Sequence, residues 1–128
     1  MTKLTQEWVD KAEEDWNVAQ MLYRARKHPS YNATCVHTQQ CAEKNLKARL
    51  QEAGIAFSKT HNLVTLHGLV LPVESGWNVM LADLKFLNSF SVDVRYPGKT
   101  ATKSDAKDAI KSCRSIRALV RQSLNLPI

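Results

Sequence analysis

The stretch Ser30–Gly54, SYNATCVHTQQCAEKNLKARLQEAG, decides the fold. Cys35, Ala42, Leu46, Leu50 and Ala53 recur at separations of seven, four, four and three residues, the period of one helix face, and nothing in the segment alternates as a half-buried strand would. Gly54 follows where a helix end takes a left-handed residue at least cost. The reading is a helix from about Ser30 to Ala53. Its other faces are polar: at roughly 100° per residue, Ala33, His37, Gln40 and Lys44 form one row, with Glu43 and Lys47 beside it.

Upstream, Trp8, Ala12, Trp16, Ala19, Leu22 and Tyr23 mark an amphipathic helix over Thr5–Arg26, with Thr5 as N-cap and His28-Pro29-Ser30 as its stop. Downstream, Ile55–Thr60 reads as a connector and His61–Leu71 as a short helix ended by Pro72. Gly76–Phe90 carries Met80, Leu81, Leu84, Leu87 and Phe90 at helical spacing. Asp93–Gly98 is a turn, and a last helix starts near Thr102, where Thr102-x-x-Asp105 resembles a capping box; its stripe is Ala106, Ala109, Cys113, Ile116, Val120 and Leu124. The expectation is an all-α fold, an antiparallel bundle of four long helices plus a short helix, with residues 1–128 as one domain.

Composition narrows the function classes. Of 128 residues 44% are hydrophobic and 23% charged, values of a globular chain. Met1–Glu7 has no apolar run behind Lys3, so no secretory signal is read, and no segment nears the length of a membrane span; a cytoplasmic protein with no membrane partner is expected. Cys35, Cys41 and Cys113 are odd in number and lack C-x-x-C spacing, which argues against a disulfide framework, a standard zinc site or a catalytic thiol. His61 and His67 stand six apart, on different helix faces, so no metal is expected. The glycines stand singly at Gly54, Gly68, Gly76 and Gly98, with no phosphate loop or dinucleotide fingerprint and hence no cofactor.

The net charge is +6, and most of it is local: from Lys99 onward seven Lys or Arg stand against two Asp. Lys103, Lys107, Lys111, Arg114 and Arg121 form a row with Arg117 at its margin, either a solvated face or a field that attracts phosphates or an acidic protein.

Three groups are candidates for chemistry. Asp15 lies amid the inward row of the first helix, where a lone carboxylate is expensive; it pairs with a cation across a helix seam, or it joins a polar site with Lys44 or Arg95. Arg95-Tyr96-Pro97-Gly98 stops a helix, and Arg95 also offers a fork of donors to a phosphate while Tyr96 offers a ring to a base. The third is the polar row of Gln40, Lys44 and Lys47, with Lys59-Thr60-His61-Asn62-Leu63 beyond it. There His61 has a plainer role as a loop anchor, and His37 as a partly exposed helix residue.

Trp8 and Asp15 in the first helix, Gln39-Gln40-x-x-Glu43-Lys44-x-Leu46-Lys47-x-x-Leu50, Lys59-Thr60-His61-x-Leu63 and Arg95-Tyr96-Pro97 together resemble the HEPN family, in order and spacing, from about Trp8 to Val120. The resemblance implies a helical bundle, a homodimer, a nucleotidyltransferase subunit as partner, and a nucleotide or RNA as ligand, for which Gln40, Lys44, Lys47, His61, Arg95 and Tyr96 are the binding candidates. It also implies relatives that are ribonucleases and toxins of toxin–antitoxin pairs, carrying Arg followed by four to six residues and then His near the last helix. Here no histidine follows Arg95, since the four are His28, His37, His61 and His67. Metal-free RNA cleavage needs groups that take and give protons near neutrality. The expectation is therefore a dimeric nucleotide- or RNA-associated binding module rather than an enzyme, the alternatives being a ribonuclease with a non-standard catalytic set or a purely structural interaction protein.

Overall fold

A computed structural model describes all 128 residues as five α-helices and one 3-10 segment, with no strand. The helices are α1 (Lys3–Arg24), α2 (Tyr31–Ala53), α3 (Leu63–Val70), α4 (Leu81–Asp93) and α5 (Lys103–Ser123); the 3-10 segment is Ser75–Met80. None is long and apolar enough to cross a membrane.

The boundaries differ from the sequence reading where a side chain changes the local hydrogen bonding. Thr2, not Thr5, caps α1, its hydroxyl accepting the Thr5 N–H at 3.1 Å. Thr5 is fully buried on the inward side and donates its own hydroxyl to Glu52 Oε1 at 3.1 Å, which ties the start of α1 to the end of α2. His61 is outside α3, because the Asn62 side chain accepts the Val64 and Thr65 N–H groups and so sets the cap. The Gly76–Phe90 pattern divides at Leu81: Trp77 and Met80 are buried three residues apart, a spacing that a 3-10 turn stacks on one side. The buried His67 Nε2 donates to the Trp77 carbonyl at 2.9 Å and holds that turn. The capping box of Thr102 and Asp105 forms in full, and Gly54, at φ +70°, closes α2 with its N–H on the Leu50 and Gln51 carbonyls.

Side-chain pairs give the helix directions. Thr5 meets Glu52, Asp15 meets Lys44, and Tyr23 meets Tyr31, so α1 and α2 are antiparallel along their length. Glu13 meets Arg117 and Trp16 meets Arg114, so α5 is antiparallel to α1 and runs in the same sense as α2 beside it. α2 packs against α1, α3, α4 and α5 and is the central element.

Leu46 and Leu50 of α2, Leu63, Leu66 and Val70 of α3, Leu84 and Leu87 of α4, and Ile116 and Val120 of α5 are fully buried in one core. Each contributes about 1.5–3 kcal/mol by leaving water. Cys35, Cys41 and Cys113 are free thiols in that core. Burial pushes the Cys35 thiol up to about 12. The Cys113 thiol is raised by burial and then by its hydrogen bond with Cys41. They fill space rather than attack substrates.

Candidate functional site

The polar flank of α2 is wired by two carboxylates. Asp15, 6% exposed, reaches across from α1, with His37 Nδ1 donating to its Oδ1 at 2.9 Å and Lys44 Nζ to its Oδ2 at 2.6 Å. Both partners come from α2, seven residues apart and so on one face. One buried carboxylate thus fixes the direction of two polar side chains, and the attraction of Lys44 offsets the cost of removing Asp15 from water.

Glu43 does the same one row away. Its Oε2 accepts from Lys47 Nζ at 3.0 Å and its Oε1 accepts from His61 Nδ1 at 3.1 Å. Lys47 is 4% exposed, and its ammonium also lies 5.4 Å from the Trp8 ring centroid and 5.9 Å from that of Phe57. Carboxylate and aromatic faces together hold a cation that has left water. His61 is the opposite: its side chain is 82% exposed, and with Nδ1 committed to Glu43 the ring presents Nε2 outward. Gln39, buried, donates its amide to the His61 carbonyl at 2.9 Å, so the connector before α3 is pinned to α2 at this point.

These groups open on a cleft of about 350 Å³ lined by Gln39, Gln40, Glu43, Lys44, His61 and Arg95, with no apolar side chain among them. Lys44 and Gln40 come from the middle of α2, His61 from the connector, and Arg95 from the turn after α4. Arg95 is exposed and forms no salt bridge. Two cations, an outward imidazole and two primary amides facing one concavity supply N–H donors in a number and spread suited to phosphate oxygens.

Of the six residues expected from the sequence, Gln40, Lys44, His61 and Arg95 line the cleft, and two do not. Lys47 points into the protein, because its stem and ammonium are taken up by Trp8, Phe57 and Glu43. Tyr96, 66% exposed, stands outside the lining. Gln39 and Glu43 line the cleft and were not among the six; the one available signal was their place in the Gln-Gln-x-x-Glu-Lys run.

The HEPN domain family model matches residues 5–123. A protein of Methanocaldococcus jannaschii named "Putative toxin MJ1304" is 26% identical over 133 aligned positions, which span 91% of this chain and 86% of that one. The crystal structure of ST0689, described as an archaeal HEPN homologue, superposes with a TM-score of 0.72 at 28% identity, covering 96% of this chain and 98% of that one.

Proposed function

The chain belongs to the HEPN domain family, and on that premise we propose that it is a dimeric binding module for a nucleotide or RNA, with the α2 cleft as its phosphate-recognition site and a nucleotidyltransferase as its working partner. The observation that carries the reading is the convergence of Lys44, His61 and Arg95, from three separate parts of the chain, on one wholly polar cleft. Arg95 supplies a planar fork with no internal carboxylate to satisfy it. Lys44 supplies a charge whose position Asp15 fixes, and Gln40 supplies an amide. A dianionic phosphate entering the cleft replaces water around these donors without asking them to reorganise, since two are already held by carboxylates.

Titration calorimetry with ATP, GTP and a short RNA tests the site. Binding that weakens at least tenfold in both Lys44→Ala and Arg95→Ala supports it; binding indifferent to both places the ligand elsewhere. Sedimentation tests the assembly, and a monomer at micromolar concentration overturns the dimer.

A second reading, a ribonuclease with a non-standard catalytic set, is favoured by one specific observation: His61, oriented by Glu43, shares the cleft with Arg95 although no histidine follows Arg95 in sequence. The toxin name of the Methanocaldococcus relative points the same way. Our expectation is no robust metal-independent cleavage of single-stranded RNA. Cleavage that persists in chelator and is lost in both His61→Ala and Arg95→Ala establishes the enzyme reading instead.

A further inference from the structure

The sequence shows one basic row on α5, and the structure divides it. Arg117 and Arg121 turn toward α1, where Arg117 Nε donates to Glu13 Oε2 at 2.9 Å and Arg121 Nη1 stands 3.6 Å from the same oxygen. Lys103, Lys107, Lys111 and Arg114 are exposed and enter no salt bridge. Of the six cations, Arg117 and Arg121 are paired with Glu13 within the fold and the other four are left bare. The Arg114 guanidinium lies 5.7 Å from the centroid of the Trp16 ring, which steadies its position without compensating its charge.

Three of the four bare cations border a groove of about 570 Å³ between α1 and α5, whose lining includes Tyr23, Ser104, Lys107, Asp108, Lys111 and Arg114. It shares no lining residue with the α2 cleft. Three cations stand there against the single carboxylate of Asp108. Lys103, Lys107 and Lys111 are four residues apart, so their Cα atoms advance about 6 Å along the axis at each step, comparable to the separation of successive phosphates along a nucleic-acid strand. A free nucleotide meets only one or two of these charges at a time, whereas a polymer meets all of them. Tyr23, on the α1 wall, adds an aromatic ring of the kind on which an unpaired base stacks.

We propose that the α1–α5 groove binds the phosphodiester backbone of a single-stranded nucleic acid, as a second site separate from the α2 cleft. Regular spacing of unpaired cations matches a polyphosphate backbone better than the irregular carboxylates of a folded acidic protein. Because the contacts are cation to phosphate, affinity depends steeply on salt, each lost contact removing about 0.7 from the slope of log affinity against log salt.

Fluorescence anisotropy of end-labelled oligouridylate and oligothymidylate on the full chain tests the proposal. Lys107→Glu/Lys111→Glu is expected to weaken oligonucleotide binding more than tenfold, and Lys107→Gln/Lys111→Gln to lower the salt slope by about 1.4, while ATP binding is unchanged in both. Oligonucleotide affinity that survives both double variants overturns the groove, whatever ATP does. If ATP fails to bind while oligonucleotide binding still depends on Lys107 and Lys111, the groove stands and the α2 cleft reading falls. Polyglutamate that binds as tightly as the oligonucleotides, with the same dependence on Lys107 and Lys111, assigns the surface to an acidic protein and overturns the nucleic-acid proposal.

Discussion

On α2, twelve of 23 residues are buried and six of those twelve are polar or charged: Thr34, Thr38, Gln39, Glu43, Asn45 and Lys47. On α5, of similar length at 21 residues, seven are buried and only Ser112 among them is polar. Both helices read in sequence as an apolar stripe with charged rows beside it. The difference is the number of neighbours. α2 is packed by four other helices, so its charged rows are covered too and each must find a partner, whereas α5 leaves one face to solvent and leaves four cations there unpaired. Every buried side-chain nitrogen and oxygen has a hydrogen-bond partner, which for α2 means that Asp15 and Glu43 are structural requirements as well as the groups that hold Lys44 and His61 at the cleft.

The largest expected effect separates the two helices most sharply. Glu43→Ala strands Lys47 among Trp8 and Phe57 and is expected to cost about 3–5 kcal/mol of stability, read by urea denaturation. Glu43→Leu/Lys47→Met removes both charges and is expected to recover most of that loss. If the double variant is no better than the single, burial of the Lys47 charge is not the source of the cost.

Asp15→Ala comes next, at about 2 kcal/mol, below the range for fully buried pairs because Lys44 and His37 are each partly open to water. It is also expected to weaken ligand binding, since Lys44 loses the anchor that aims it. A variant with full stability and full affinity breaks the claim that this carboxylate organises the cleft.

The α1–α5 seam sits between these extremes. The Arg117 guanidinium, by donating to Glu13, holds that carboxyl below its usual value of 4.5. A carboxyl depressed in the folded state stabilises the fold fully above its unfolded pKa and loses that contribution as pH falls through the folded pKa. The stability gap between wild type and Glu13→Gln, about 1 kcal/mol near neutrality for a partly exposed pair, is therefore expected to close on acidification below about pH 4.5. A gap that widens there contradicts the pairing. The smallest effect belongs to the bare row: Lys107→Gln/Lys111→Gln is expected to shift stability by no more than about 0.5 kcal/mol, because neither ammonium holds anything in place.

This contrast also explains what the sequence revealed. Helical period, Gly54 and the Thr102–Asp105 box carried the all-α fold, because each is a local signal. The burial of Asp15 was legible from its place between Ala12 and Trp16 on one face. The fate of Lys47 was not, because its environment is built by Trp8 and Phe57, 39 and 10 residues away in sequence. Thr5 reads in sequence as a cap for the same reason: its partner, Glu52, is 47 residues distant. The approach of His61 to Arg95 depends on a connector pinned by Gln39 and on the turn after α4, neither of which has a periodic signature.

Chemical-shift mapping by NMR with a mononucleotide tests whether the α2 cleft receives a nucleotide phosphate. Titration with ATP is predicted to move the side-chain amides of Gln39 and Gln40, the His61 ring and the Arg95 Nε–H together, with one saturating curve. Shifts confined to Lys107, Lys111 and Arg114, or no saturable shift at these four cleft residues, would contradict it.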